Sequence, residues 1–505
     1  MKTTTTLIAT LFAIVSVLSA QTVVPVSPGN GTLNTAIEDY VNNTGEPDLD
    51  VIFELEDGGF YVLTSSIENE FPLHIRAAQG SMQRPVIRPG VPTGGDSFRA
   101  FRVRDDLIVD GLYITNQDPL GGIESQILRI SAENARVVIN NCHLDKASQS
   151  ALRLDNNGNR IFITNSVISN IVNESNPTNG RGIDDRGNDI DSLVIEFTTI
   201  YNLSSRILRD DGGVINYIKY NQNTSYNTGD RTLDMGEVSD EAEITNNLFV
   251  NTAFFGDDEP GSSSFQIDAS DDTTEQVLIA NNGFFNATGL QTTYDVLNQT
   301  AEADDRDSIF PKVFLNGDSE FFVAREMTEA TIYEFLDFSF EDAPDSPTDF
   351  ISTFFTDPDN VVGFDDGNGG ANMDSDGQLP FDFTYSTDHP AYTGGDEGQP
   401  LGNLNSFGLG PLSLDRQLIS RLAVQVFPNP AFEVANIAFN LPAAANVNLQ
   451  LFNAMGQPVG AAIRGQYPAG EHRLPLVVSS LPVGAYYFRM DVDGRFGSGR
   501  IWVNR

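Results

Sequence analysis

The chain has 505 residues, with 70 acidic against 29 basic residues and a formal net charge of −41. That balance argues against a nucleic-acid partner, since phosphate binding needs a positive surface, while 40 % hydrophobic content rules out a disordered chain. Only Lys2, Lys146, Lys219 and Lys312 are lysines, and an acidic, lysine-poor surface fits a high-salt habitat in which self-repulsion is screened.

Residues 1–20 combine Lys2, an apolar run from Leu7 to Leu18 and a Ser19-Ala20 junction, the pattern of a signal peptide cleaved before Gln21. No later stretch is long enough to span a membrane as a helix. After an extended lead, Leu33, Ile37 and Val41 stand at helical spacing in Thr32–Val41, which predicts a short amphipathic helix placed as a cap over the first coil. Val51–Leu55, Tyr61–Leu63, Leu73–Ile75 and Val86–Ile87 then read as short strands.

From Val109 to Asn286 one phrase, apolar-x-Asn-x-x-apolar-x-Asn with some slack, recurs seven times, its last positions 30, 24, 32, 25, 24 and 35 residues apart. Clear examples are Ile163–Asn170, Ile244–Asn251 and Ile279–Asn286. Each phrase predicts a β-strand closed by a turn at Asn, and the shortest period suits one coil of a parallel β-helix with loops inserted in the longer ones. Stacking of equivalent residues predicts an internal column of Asn141, Asn165, Asn246 and Asn281, whose buried amides must bond to one another and to turn backbone. Cys142, the only cysteine, is expected to be a small buried apolar residue.

The opening GTLNTAIEDYV, the strands FPLHIRAAQG and RPVIRPG, and the coils VDGLYITN through ITNNLFVN resemble the pectate-lyase-like right-handed parallel β-helix superfamily, and within it the chondroitinase-B-like secreted proteins. The expected fold is all-β: a β-helix over 21–310 with an N-terminal helical cap, then an acidic closing segment over 311–414. In that segment Met327–Phe338 has the spacing of a helix, and Pro380–Tyr385 onward to Phe407 reads as an extended stretch returning along the solenoid. Asn372, Asp374 and Asp376 match the first half of an EF-hand loop and are candidate calcium ligands, although Phe383 stands where the bidentate Glu belongs.

After a linker over 415–423, residues 424–505 show alternating strands about ten residues apart with Pro and Gly turns, which predicts a small antiparallel β-sandwich. Pro428-Asn429-Pro430, Asn453–Gly456, Ala469-Gly470 and Gly484–Tyr486 resemble the landmarks of the type IX secretion system C-terminal sorting domain, type A. That resemblance implies the type IX machinery as a partner of 424–505, and a protein released or held at the outer cell surface after passing through the periplasm.

Elimination from a uronate polysaccharide needs a base for the proton beside the carboxylate and cations for the enolate that forms. Leu128-Arg129, Leu152-Arg153, Ile183-Asp184, Leu208-Arg209 and Leu233-Asp234 align after the repeats, so their charges are expected to form one outward row. Arg206, Arg209, Lys219 and Arg231 are the candidate catalytic residues, and Arg153, Tyr201, Tyr217 and Tyr226 the candidate substrate contacts. The leading expectation is a secreted protein that binds an acidic polysaccharide, with lyase activity left open. The alternatives are a non-catalytic surface scaffold, in which Arg and Asp merely neutralise each other, and a glycoside hydrolase of the same fold, for which Asp57, Asp210-Asp211 and Asp257-Asp258 offer paired carboxylates.

Overall fold

The computed structural model describes residues 21–81, 83–91, 98–266, 276–315, 332–365, 381–410, 424–429, 431–441, 445–452, 458–479, 481–492 and 495–504. The expected signal peptide and linker, and the candidate calcium ligands Asn372, Asp374 and Asp376, lie outside these residues. The first unit is built from three parallel sheets of ten, eleven and eight described strands. One coil visits them in turn: Asn159–Thr164 in the first sheet, Val167–Ile171 in the second and Arg181–Asp184 in the third, before Ile190–Glu196 returns to the first. Inward-facing Ile, Leu, Val and Phe from all three sheets fill one continuous core in which Cys142 is fully buried.

The recurring phrase is not a single strand. In Ile163–Asn170 the first two residues end a first-sheet strand, Asn165 turns the corner at φ 53°, and the second-sheet strand begins at Val167. Asparagine is suited to this left-handed conformation because its short amide bonds locally. The corner also corrects the expected internal column. Asn141, Asn165, Asn246 and Asn281 hold the left-handed turn, and three of them are only half buried. The inward column lies one residue later, because the turn rotates the next side chain into the coil. There the backbone N–H of Cys142 donates to Ser166 Oγ, that of Thr198 to Asn223 Oδ1, that of Asn223 to Asn247 Oδ1 and that of Asn247 to Asn282 Oδ1, at 2.9–3.1 Å.

A second ladder stands at the end of each phrase. Asn202 Nδ2 donates to Asn170 Oδ1, Asn227 to Asn202 and Asn251 to Asn227, at 3.1–3.2 Å, and all four residues are left-handed and buried. Two amide columns on successive corners thus satisfy the polar groups that a tight coil buries.

Both ends of the solenoid are closed. The helix Thr32–Thr44 buries Leu33 and Ile37, and Asn34 ties it to the first coil by donating to Ser65 O and accepting from Thr64 N–H. At the far end Phe314 is fully buried, with ring centroids 5.2–5.7 Å from Phe249, Phe265 and Phe284. Of the segment expected to be helical, Ile332–Glu334 is instead a strand paired with Asn282–Phe284. The last second-sheet strand offers unpaired backbone, and strand addition satisfies it where a helix would not.

Residues 381–410 run back along the outer face of the second sheet. Asp396 binds Asn246 and Asn281, Asn403 binds Thr224 and Thr199, and Asn405 reaches Asn165. Phe381 and Phe383 cover Tyr201, while Phe340 and Phe383 cover Tyr226.

The C-terminal unit has two antiparallel sheets. One contains Gln425–Phe427, Val434–Leu441 and Gly470–Val477; the other Pro458–Tyr467, Ala445–Phe452, Gly484–Val492 and Arg495–Val503. Ile437, Leu449, Phe488, Met490 and Ile501 lie at the centre of its own core.

Candidate functional site

The third sheet displays the charged row that the sequence anticipates. Register places Glu68, Arg102, Arg129, Arg153, Asp184 and Arg209 side by side on successive coils, with Asp234 following on the strand next to Arg209. Their neighbours Phe101, Leu128, Leu152, Ile183 and Leu208 face the core, which forces these charges outward.

The expected site residues do not converge. Arg153, Arg206, Arg209 and Arg231 lie on or beside the third sheet, whereas Lys219 and Tyr217 stand on a first-sheet strand and Tyr201 and Tyr226 on second-sheet strands. A three-sided coil puts these sets on different faces. Tyr201 is fully buried and Tyr226 is 7 % exposed beneath the returning segment, so neither ring can stack on a sugar. Tyr226 donates instead to Pro344 O at 2.7 Å. Lys219 sits between Glu196 at 3.2 Å and Glu243 at 3.5 Å, which hold its ammonium charged.

The expected basic patch is also largely neutralised. Arg206 pairs with Asp230 and Asp234, Arg209 with Asp184 at 3.0 Å and Asp211 at 2.5 Å, and Arg231 with Asp234 at 3.4 Å. Most of these partners are about one coil away in sequence, the distance at which a solenoid brings side chains together. They form the ion-pair lattice expected of the scaffold alternative.

The opposite end of the row differs. Arg129 and Arg153 share the single carboxylate of Asp155, and Arg102 approaches Glu68 only to 3.9 Å, while Glu68 is engaged at 3.0 Å by Arg104. The Nε groups of Arg99 and Arg102 are buried without an acceptor among the described residues. Burial and the neighbouring Arg129 push the Arg99 guanidinium below its ordinary pKa. Among the described residues, five arginines here share the carboxylates of Glu68, Glu70, Glu124 and Asp155, on a chain with more than twice as many acids as bases. Arg99, Arg102 and Arg104 were missed as candidates, although the run FRAFRVR already shows Arg102 after an inward Phe, as Arg129 and Arg153 follow Leu.

Behind the row, the turn after Asp184 carries a buried acid. Asp185 Oδ1 accepts the N–H groups of Gly187 at 3.0 Å and Asp211 at 2.9 Å, while Oδ2 meets no N–H donor among the described residues. Burial, then hydrogen bonding with Asp210, pushes the Asp185 carboxyl up to about 8. The fold therefore favours the protonated acid. Its contribution to stability is fully present below the unfolded value of about 4 and is lost as pH rises toward 8. Asp185→Asn, which mimics the protonated acid, is expected to raise Tm at pH 8 and to leave it nearly unchanged at pH 4, as thermal melts will show.

Among the described residues no group of three or more His, Cys, Asp and Glu is placed to hold a metal ion. No described helix is long and apolar enough to cross a membrane. The two antiparallel sheets of the C-terminal unit have a counterpart among known families: residues 425–504 match the secretion system C-terminal sorting domain. This unit is a type IX sorting domain. It directs the chain to export by the type IX system, and so to secretion or attachment at the cell surface. A search of curated proteins returned no match.

Proposed function

We propose that the exported β-helix binds an acidic polysaccharide along its third sheet, at the end marked by Arg102, Arg129 and Arg153. The observation that carries this reading is the register, which stacks three outward guanidiniums on consecutive coils. Coils stack at the spacing of neighbouring strands, about 4.8 Å, comparable to one sugar residue. A chain laid along the axis can therefore offer successive anionic groups to successive arginines, each able to grip a carboxylate or sulfate with two N–H donors.

Cleavage by elimination draws less support. Lys219, the only lysine among the expected catalytic residues, is on a different face from Arg206, Arg209 and Arg231, so these four cannot act on one uronate. The ion pairs of those three arginines favour a scaffold role for their end of the sheet. The test uses the mature chain on immobilised alginate, chondroitin sulfate and pectin at low salt. Retention without ultraviolet-absorbing products is expected. Absence of retention on all three would support the scaffold alternative, and unsaturated products would restore the lyase. New reducing ends without that absorbance would mean a hydrolase.

A further inference from the structure

The ladder at the ends of the phrases is broken at one coil. Register places Lys146 opposite Asn170, and so in line with Asn202, Asn227 and Asn251. Lys146 keeps their left-handed backbone at φ 59° and is only 3 % exposed. The conformation strains a lysine where asparagine largely avoids the cost, and an ammonium is costly to bury before it is paired. Nothing in the coil geometry asks for this, because four neighbouring coils solve the same corner with asparagine. A strained, buried charge at one position of an otherwise regular column points to a use other than folding.

Lys146 lines a cleft of about 680 Å³ between the corner of the solenoid, the loop after Asn173 and the stretch Gly363–Asp365. Its ammonium meets Asp365 at 3.1 Å. Asn170 and Asn173 also line it, with their amide nitrogens already donating to Asp145 Oδ1 at 2.8 Å and Ser148 O at 2.7 Å. Glu174 contributes a second carboxylate, which lies against Gly363. Val172 and the ring of Phe364 form an apolar wall, and Phe364 is itself fixed by Phe350 at 4.7 Å between centroids.

We infer that this cleft is a second binding site, for a neutral, hydroxyl-rich sugar residue. One cation against two carboxylates disfavours an anion, which separates the cleft from the arginine row. The Lys146 ammonium and the carboxylates of Glu174 and Asp365 converge beside an apolar wall, an arrangement that matches the hydroxyl edge and the C–H face of a sugar ring. The Lys146–Asp365 pair supplies a donor and an acceptor side by side, suited to two adjacent hydroxyls.

The ladder provides the test. Lys146→Asn in the mature chain installs the residue that the other coils carry, so Tm should be unchanged or higher. Affinity for neutral gluco-, manno- and galacto-hexasaccharides, measured by calorimetry, should fall at least about tenfold for whichever of them the wild type binds. Phe364→Ala should weaken the same binding, and changing Arg102, Arg129 and Arg153 should leave it intact. The inference is overturned if the folded wild type binds none of the three sugars at millimolar concentration, or if Lys146→Asn binds as well as wild type. A fall in Tm for Lys146→Asn would equally overturn it, since it would show that the lysine serves the fold.

Discussion

Asn227→Leu is expected to destabilise the solenoid by about 3–6 kcal/mol, enough to remove much of the margin of an ordinary domain. Asn227 is fully buried in the middle of the second ladder. Its Nδ2 donates to Asn202 Oδ1 at 3.1 Å and to Asp345 O at 3.0 Å, and its Oδ1 accepts from Asn251 at 3.1 Å. Leucine strands these partners in a dry interior, where each unsatisfied group costs about 1–3 kcal/mol. It also places a bulky side chain at φ 54°, a backbone that costs roughly 1–2 kcal/mol more. Asn227→Gly separates the two effects, because glycine accepts the backbone and loses only the hydrogen bonds. Urea denaturation should rank wild type above the glycine variant and the glycine variant above leucine. Equal stability of all three would mean that the ladder does not hold the coils.

That ranking bears on how far the fold is legible in the sequence. The parallel β-helix was legible because the repeat is a one-dimensional signal: apolar residues and asparagines return at a coil's length. The identity of the inward column was not. The strand-plus-turn reading treats Ile163–Asn170 as straight, whereas Asn165 turns a corner within it, and a one-residue rotation at that corner decides whether Asn165 or Ser166 faces inward. The same limit explains Ile332–Glu334, where an open sheet edge outweighs local helical spacing.

The candidate site was less legible, for reasons of the third dimension. The row through Arg129, Arg153, Asp184 and Arg209 followed from repeat alignment, and register bears out that alignment. Which face each residue occupies did not follow, and so Lys219 was grouped with arginines that it never meets. Tyr201 and Tyr226 looked available because nothing local in the sequence says that Phe381 and Phe383, more than 150 residues later, lie over them. Charge balance was similarly hidden. Asp230 and Asp234 quench Arg206 from the next coil, whereas among the described residues Arg102 meets only Glu68, at 3.9 Å.

Polyanion binding by the arginine row is tested most directly by titrating the mature chain against the variant Arg102→Gln, Arg129→Gln, Arg153→Gln. These side chains project from the sheet, so the variant should keep its Tm to within a few degrees. Losing three charge-assisted contacts of about 1 kcal/mol each should weaken binding of an alginate or chondroitin sulfate oligosaccharide roughly hundredfold at low salt. Raising the ionic strength should shrink the difference between the two proteins, because the wild-type contacts are screened. An affinity that is the same for both proteins, at low and high salt alike, would contradict a binding role for the row.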